Sequence, residues 1–515
     1  MLPRCTEEPV EIVTRLAWPE VAWGTPLVQA LVAGTLPAGV APPSSNEFPA
    51  GTSRPDTDPA FLTALEHEMP APRTAAWAPL HTPGARVVVT GQQPGCAGGA
   101  LLVLYKAATA VALARRTAAV LGHPVVPVFW NGTDDEDFEE VARVGWPAGA
   151  RGLDYLELPR DSRRAGGWVG DLPAAGDLAA GAHVLSTLDL RQRASLAAFL
   201  PASARDHGDW VGALLAAVFP ELAILDARSA VLRRYAAPLF ARYLAARAAA
   251  PGALRGAGEA LRQAGFAPVL APESAARALY LTPERQRQKL GDDARPLEQA
   301  VAESPEHVSP SVVLRPLVQD AVLPVIAHVV GPSEVGYLLE LRGLRELLEV
   351  PEPALVVRAS CTLIEAGGWA AARSRGIDPG ALVRDPERAL QDSSQARPEL
   401  EALAGAFAAL TGAVTELPLA ASVRERAARR VAAIHDDLRG ELEAGARAAL
   451  LAAEPELGAL PGLLRPRGRA QERLLAGLWA LAHWGEVAPA ALLHLAGSHL
   501  DALAARRGEH LVVTL

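Results

Sequence analysis

The chain is 515 residues long, half of it hydrophobic and 21% charged, with a formal net charge of −9. It is too apolar for a disordered protein and long enough for two or three domains, and its acidic balance excludes the basic footprint of a nucleic-acid binder. Of the 49 basic side chains only Lys106 and Lys289 are lysines, and Asn46 and Asn131 are the only asparagines. Against that arginine-rich background a lysine marks a place where a compact point charge is wanted. Three cysteines, Cys5, Cys96 and Cys361, lie far apart with no CxxC pattern, which suits a reducing compartment. The acidic N-terminus has no signal-peptide core, and no apolar run reaches the ~18–20 residues of a membrane helix. These features point to a cytoplasmic protein with no membrane partner.

In chain order, residues 1–85 read as helices joined by a Pro/Ser/Gly-rich arm from Thr35 to Pro55. The β-branched run 86–90 predicts a buried strand. A glycine-rich turn follows over 91–99, then a helix from Ala100 to Leu121 and a second buried strand, PVVPVFW, over 124–130. Strand, turn, helix and strand make a βαβ unit and hence a parallel sheet. Strands over 222–225, 322–330 and 355–358 extend it, with helices after the first two, over 229–249 and from 333 to about 349. Segments 145–210 and about 266–318 break the rhythm as insertions, the second with short strands around Val269 and Leu279. Leu400, Leu403, Phe407, Leu410, Val414 and Leu417 repeat at heptad spacing. Pro418 ends that helix, and a charged helix to Ala453 follows, so an antiparallel coiled-coil hairpin is expected. Residues 509–514 read as a closing strand. The fold class is therefore α/β, a Rossmann-like parallel-sheet core with insertions plus an α-helical coiled coil. The expected organisation is an arm and first half of the core (1–144), an insertion (145–210), the second half of the core (211–376), the hairpin (377–460) and a returning C-terminal segment (461–515).

Candidate chemistry gathers on the first βαβ unit. Thr90, Gly91, Gln92 and Gln93 open the turn, and Gly98 and Gly99 close it, where a helix N-terminus offers unpaired N–H groups to an anion. No GxGxxG or GxxxxGK occurs. Lys106, after Tyr105 on the helix, could neutralise a phosphate or carboxylate. Beyond Trp130 and Asn131 comes the acidic run Asp134, Asp135, Glu136 and Asp137, with Glu139 and Glu140. Acids at the carboxyl end of a parallel strand can hold an ammonium, accept a proton or coordinate Mg²⁺. Arg315, Gln319 and Asp320 precede the strand at 322–330, and Gly331, Glu334 and Tyr337 follow it, as a pocket rim would. Cys96 has no basic neighbour and reads as packing, and no histidine pattern argues for a metal centre.

Taken together, VVVTGQQPG (87–95), LYK (104–106), PVVPVFW (124–130), ELAILDARSAVLRRYAAPLF (221–240), ALYLTPERQRQKL (278–290), SPSVVLRPLVQDAVLPVIAHVVGPSEVGYLLEL (309–341), RPRGRAQER (465–473) and EHLVVTL (509–515) resemble the BshC family, the cysteine-adding enzymes of bacillithiol biosynthesis. The resemblance implies a synthetase-like Rossmann core with connecting insertions and a coiled coil associated with homodimerisation. It also implies a ligase that joins the carboxyl of L-cysteine to the amine of glucosaminyl-malate in the last step. It places Lys106, Asp135, Glu136 and Asp137 in catalysis and the turn and rim residues in binding. Two departures stand out: Glu136 lies where the family usually reads His, and Cys96–Leu102 lacks the family's hydroxyl and aromatic. Amide formation needs an activated carboxyl, so ATP or another nucleotide, with Mg²⁺, is the candidate cofactor, although no HxGH or KMSKS-like signature is present. The alternative is a non-catalytic coiled-coil dimer that binds a thiol metabolite or delivers cysteine to another enzyme.

Overall fold

The computed structural model describes residues 10–21, 23–43, 54–69, 71–148, 152–162, 166–288, 293–393 and 397–515. Cys5, Asn46, Lys289 and part of the expected 35–55 arm fall outside them. The strands in chain order are β1 (Ile12–Ala17), β2 (Arg86–Gln92), β3 (Val125–Asn131), β4 (Arg143–Pro147), β5 (Leu153–Glu157), β6 (Ala223–Asp226), β7 (Leu279–Leu281), β8 (Val308–Pro310), β9 (Val325–Val330), β10 (Ala354–Val357), β11 (Cys361–Ile364) and β12 (Glu509–Thr514).

The β-branched runs become a five-stranded, all-parallel sheet in the order β10-β9-β2-β3-β6. β3 and β9 are buried along their whole length, as expected where helices cover both faces of a parallel sheet. The helix Leu101–Leu121 carries the chain from β2 to β3, packs on both strands and ends at Gly122 in the left-handed region (φ 73°). Numbered within the sheet, the order is that of a doubly wound fold, and the winding reverses between β2 and β9. Such a reversal opens a crevice at the carboxyl ends of the two strands, where these folds place their ligands.

A second sheet ties the chain's two ends together. β12 lies between β1, to which it is antiparallel, and β11, to which it is parallel. β12 is the closing strand expected at 509–514. β1 corrects the all-helical reading of the first 85 residues, because its pairing partner lies some five hundred residues away in sequence. Its helices, Pro26–Ala33 and Pro59–Glu68, are present. Helix Ala488–Ala504 packs on Leu101–Leu121 and brings the C-terminal segment onto the core.

Two buried histidines sit in this closure. His510 meets Ser360 Oγ at 2.6 Å and Thr362 Oγ1 at 2.8 Å, and the Nε2–H of His499 donates to the Val357 carbonyl at 2.8 Å. Burial pulls both imidazoles down to about 4. An unfolded histidine, near 6.5, takes up its proton first, so stability falls as pH drops from about 6.5 towards 4. Urea titrations should show a loss of about 4 kcal/mol between pH 7 and pH 5 from the pair. The His510→Gln variant should lose about half of that dependence, and an unchanged slope in this variant would refute the assignment.

The insertion read at 145–210 opens with the antiparallel β4–β5 hairpin, whose first strand starts at Arg143, and continues in helices Ala175–Thr187 and Leu190–Ala197. In the second insertion Leu279 lies in β7, paired with β8. Val269 is in no strand: its N–H donates to Glu340 (2.7 Å) and its side chain is exposed. Helices Arg397–Glu416 and Ala421–Ala453, joined across Pro418, pack side by side with the Phe407 ring 5.1 Å from His435. Val414 is buried in this hairpin, while Leu410, Leu417, Ile434, Leu438 and Leu442 remain exposed.

Candidate functional site

The expected loop after β2 begins later than its glycines suggest. Thr90, Gly91 and Gln92 still pair with Phe129, Trp130 and Asn131 of β3. Gly91 is needed for this approach, because a Cβ there would lie 2.6 Å from the Trp130 carbonyl oxygen. Thr90 Oγ1 donates to the Val329 carbonyl of β9 at 2.8 Å, which pins β2 to β9 at the winding reversal. A cavity of about 750 Å³ opens there, within the range of small-molecule sites.

A hydrogen-bonded chain crosses this cavity from β9 to β3. Glu334 accepts the Gly331 N–H (2.6 Å) and pairs with Lys106 Nζ (2.6 Å). Lys106 also donates to the Gly91 carbonyl (2.8 Å) and to Gln92 Oε1 (3.0 Å). Gln92 donates to Gln93 Oε1 (2.9 Å), and Gln93 donates to Asp135 (3.2 Å) and Glu140 (3.0 Å). Lys106 is 3% exposed, and its burial lowers the ammonium below its ordinary pKa. Burial pushes the Glu334 carboxyl up, but the Lys106 charge and the Gly331 N–H outweigh it and hold Glu334 below the usual range. Burial raises the Tyr337 hydroxyl, reinforced by Glu334. Glu140 is also raised, first by burial and then by the charges of Asp135 and Asp137. The site therefore has a fixed cation–carboxylate pair at one end and a carboxylate of raised pKa at the other.

Of the residues singled out from sequence, Thr90, Gly91, Gln92, Gln93, Gly99, Lys106, Trp130, Arg315, Gln319, Gly331, Glu334 and Tyr337 line the cavity, and Asp135 stands behind Gln93. The others face elsewhere. Gly98 packs on Leu214, whose Cδ2 lies 2.3 Å from where a Cβ would sit. Tyr105 is buried in the core, its hydroxyl without a hydrogen-bond partner. Asn131 donates to the Gly208 carbonyl at 2.8 Å, and Asp320 is buried between Arg345 and His328. Asp137 caps the short helix Phe138–Val141, and that turn brings Glu139 and Glu140, rather than Glu136, to the cavity. Asp134 is buried against Arg233 (3.1 Å) and Ser309 (2.6 Å).

The glycine turn is not an open anion cradle. The N–H groups of Gly98, Gly99 and Leu101 donate to the carbonyls of Gly95, Cys96 and Leu475, and that of Ala97 donates to Asp177 (2.9 Å). His207 bridges Asp177 (2.6 Å) and the Pro94 carbonyl (2.8 Å). Burial opposes its protonation, but Asp177 outweighs burial and raises its pKa. Cys96 is fully buried and its thiol is pushed well up by burial, as packing requires. Among the described residues no group of three or more His, Cys, Asp or Glu is placed to hold a metal ion. Asp135, behind Gln93, accepts the Glu136 N–H and the Gln93 amide. No helix among the described residues is long and apolar enough to cross a membrane.

Sequence reasoning passed over Arg143, Tyr155, Arg467, Arg469 and Arg473, which also line the cavity. The recurrence of arginine in RPRGRAQER was their only local signal.

A doubly wound sheet with a polar cavity at its winding reversal defines the class: an α/β protein of Rossmann type. Residues 62–359 match the profile of the family described as "Bacillithiol biosynthesis BshC, N-terminal Rossmann-like domain", and the chain belongs to the BshC family. Relatives carrying the name "Putative cysteine ligase BshC" include those of Symbiobacterium thermophilum (33% identical over 320 residues, 56% of this chain and 57% of the relative), Salinibacter ruber (33% over 313 residues, 56% of each) and Koribacter versatilis (34% over 306 residues, 55% and 56%). The chain thus spans little more than half the length of the curated relatives it matches.

Proposed function

We propose that this chain is a carbon–nitrogen ligase that joins the carboxyl of L-cysteine to the amine of glucosaminyl-malate, the closing step of bacillithiol synthesis in a reducing cytoplasm. The observation that carries the proposal is the Glu334–Lys106–Gln92–Gln93–Glu140 chain at the winding reversal of a BshC-family fold. A carboxylate oxygen is a poor leaving group, so ATP would activate cysteine as a mixed anhydride with release of pyrophosphate. The incoming amine then displaces AMP. Lys106, fixed by three acceptors, would hold negative charge that develops on the acyl oxygens. Glu140, raised above an ordinary carboxylate and kept oriented by Gln93, would take the proton from the attacking amine. The exposed leucines and Ile434 of the hairpin suit pairing with a second copy as a coiled-coil dimer.

The test is product formation, followed by mass spectrometry, from the purified chain with L-cysteine, glucosaminyl-malate and each nucleotide in turn. Product is expected with ATP only. Product without any nucleotide would overturn the activation step, and no product with every nucleotide would overturn the ligase reading. Glu140→Gln keeps the Gln93 contact and should lower kcat by ~10²-fold or more with an unchanged melting temperature.

A further inference from the structure

Four arginines that line the cavity stand apart from its other cations. Lys106 is paired with Glu334, Arg358 with Glu472, and Arg315 lies 4.0 Å from Asp135. Arg143, Arg467, Arg469 and Arg473 are exposed, line the cavity and have no carboxylate in ion-pair reach among the described residues.

Their placement is built. Arg143 opens β4, and its guanidinium lies 5.2 Å from the centre of the Tyr155 ring on β5. The Arg467 guanidinium lies 4.8 Å from the same ring. Two like charges thus share one aromatic ring at a separation of no more than about one screening length (~10 Å at 0.1 M salt), an arrangement that a bound anion relieves. Arg467 sits at φ 52°, in the left-handed region, and Gly468 follows at φ 73°. A residue other than glycine keeps that conformation only where its surroundings impose it, and such positions gather at ligand sites. Between Arg469 and Arg473 the backbone is anchored: Gln471 receives the Leu363 N–H (2.8 Å) and donates to the Leu363 and Leu463 carbonyls (2.9 and 3.0 Å), and Glu472 is buried. Next to them Gly145 donates to the Leu474 carbonyl at 2.7 Å, so the arginine segment is fastened to the β4–β5 hairpin.

We propose that Arg143, Arg467, Arg469 and Arg473 form an anion-binding wall that takes a small molecule carrying clustered anionic oxygens, either a dicarboxylate or a diphosphate. Guanidinium forks bind such groups in pairs of parallel hydrogen bonds, which a lysine cannot copy. The four arginines line the same cavity as the Lys106–Glu334 pair, so a ligand anchored by its anionic end on the arginines would have the rest of its structure inside the cavity that holds the hydrogen-bonded chain. The inference rests on the ligase reading for the use of the cavity. Within it the anion is either the carboxylates of the acceptor or the phosphates of the nucleotide.

Calorimetric titration of the full chain with L-malate and with inorganic pyrophosphate tests the wall. At least one probe should bind, more weakly as salt is raised. Arg467→Ala/Arg469→Ala, and separately Arg473→Ala, should weaken it tenfold or more with the melting temperature unchanged. Arg262→Ala, an exposed arginine paired with Glu259 on a surface helix, should leave it unaltered. Loss for malate assigns the wall to the acceptor, and loss for pyrophosphate assigns it to the nucleotide. If neither probe binds, or if both bind the wall variants as they bind the native chain, the proposal fails. The two readings fail separately. Ligation with unchanged KM values in the wall variants would sink the wall alone, whereas wall-dependent binding without ligation would sink the ligase alone.

Discussion

Lys106→Ala is expected to lower the unfolding free energy by about 1–3 kcal/mol, between the cost of breaking an exposed ion pair and that of a fully buried one, because the Glu334 carboxylate is 27% exposed. The ammonium satisfies three acceptors at once: Glu334, the Gly91 carbonyl and the Gln92 side chain. Its removal leaves the Glu334 carboxylate with the Gly331 N–H as its hydrogen bond and with Arg315 and Arg358 as the remaining cations near it. Loss of activity in this variant therefore does not separate a catalyst from a thiol-carrying scaffold, since either would be destabilised. Lys106→Met with Glu334→Gln removes both charges and should recover about half of the lost stability, because no buried charge is then left unpaired. It should remain inactive if the ammonium acts on the acyl group. Lys106→Arg should not restore activity either, since a planar fork cannot reach the three acceptors from the position of a compact ammonium. Urea denaturation of the three variants beside the ligation assay checks this. A single Lys106→Ala cost below about 1 kcal/mol would show that the pair is not the clasp described.

The same residue shows what could be read before the fold was known. In a chain that uses arginine almost everywhere else, the lysine of the first βαβ unit stood out, and the β-branched runs announced a parallel sheet through local pattern alone. Long-range partners decided the rest. The glycine turn looked open because Asp177 and His207, which close it, come from two other helices some eighty residues or more further on. Asn131, Tyr105 and Asp320 have the right chemistry and the right neighbours in sequence, yet face into the protein. Glu140 rather than Glu136 lines the cavity because Asp137 starts a single helical turn, a rotation that a run of acids does not reveal. The arginine abundance that made Lys106 conspicuous also hid the four cavity-lining arginines, which are set apart by lining one cavity with no carboxylate beside them.

The largest cost expected away from the Lys106 site is at Arg358. Its guanidinium meets Glu472 twice, at 2.6 and 3.0 Å, and also donates to the Ala359 carbonyl at 2.7 Å. Glu472 accepts in addition from Trp23 Nε1 (2.8 Å) and Ser360 Oγ (3.2 Å). One buried carboxylate thus joins the N-terminal arm, the link between β10 and β11 and the arginine-bearing C-terminal segment. Burial opposes both charges; Arg358 outweighs it on Glu472, which is held low, and Glu472 outweighs it on Arg358, which is held high. Arg358→Met alone should cost about 3–5 kcal/mol, since Glu472 keeps its charge with only neutral donors around it. Arg358→Met with Glu472→Leu should cost less, about 1–3 kcal/mol, the desolvation left at Trp23 and Ser360 when their acceptor goes. A double-mutant cycle by urea denaturation should therefore give a coupling of about 2 kcal/mol or more, and additive costs would refute the pairing as the joint of the three segments. Arg358 also lines the floor of the cavity beneath Gly331. The same substitution should loosen Glu334 and the arginine wall together, so that affinity for the anionic probe falls in the single variant even at temperatures where the chain remains folded.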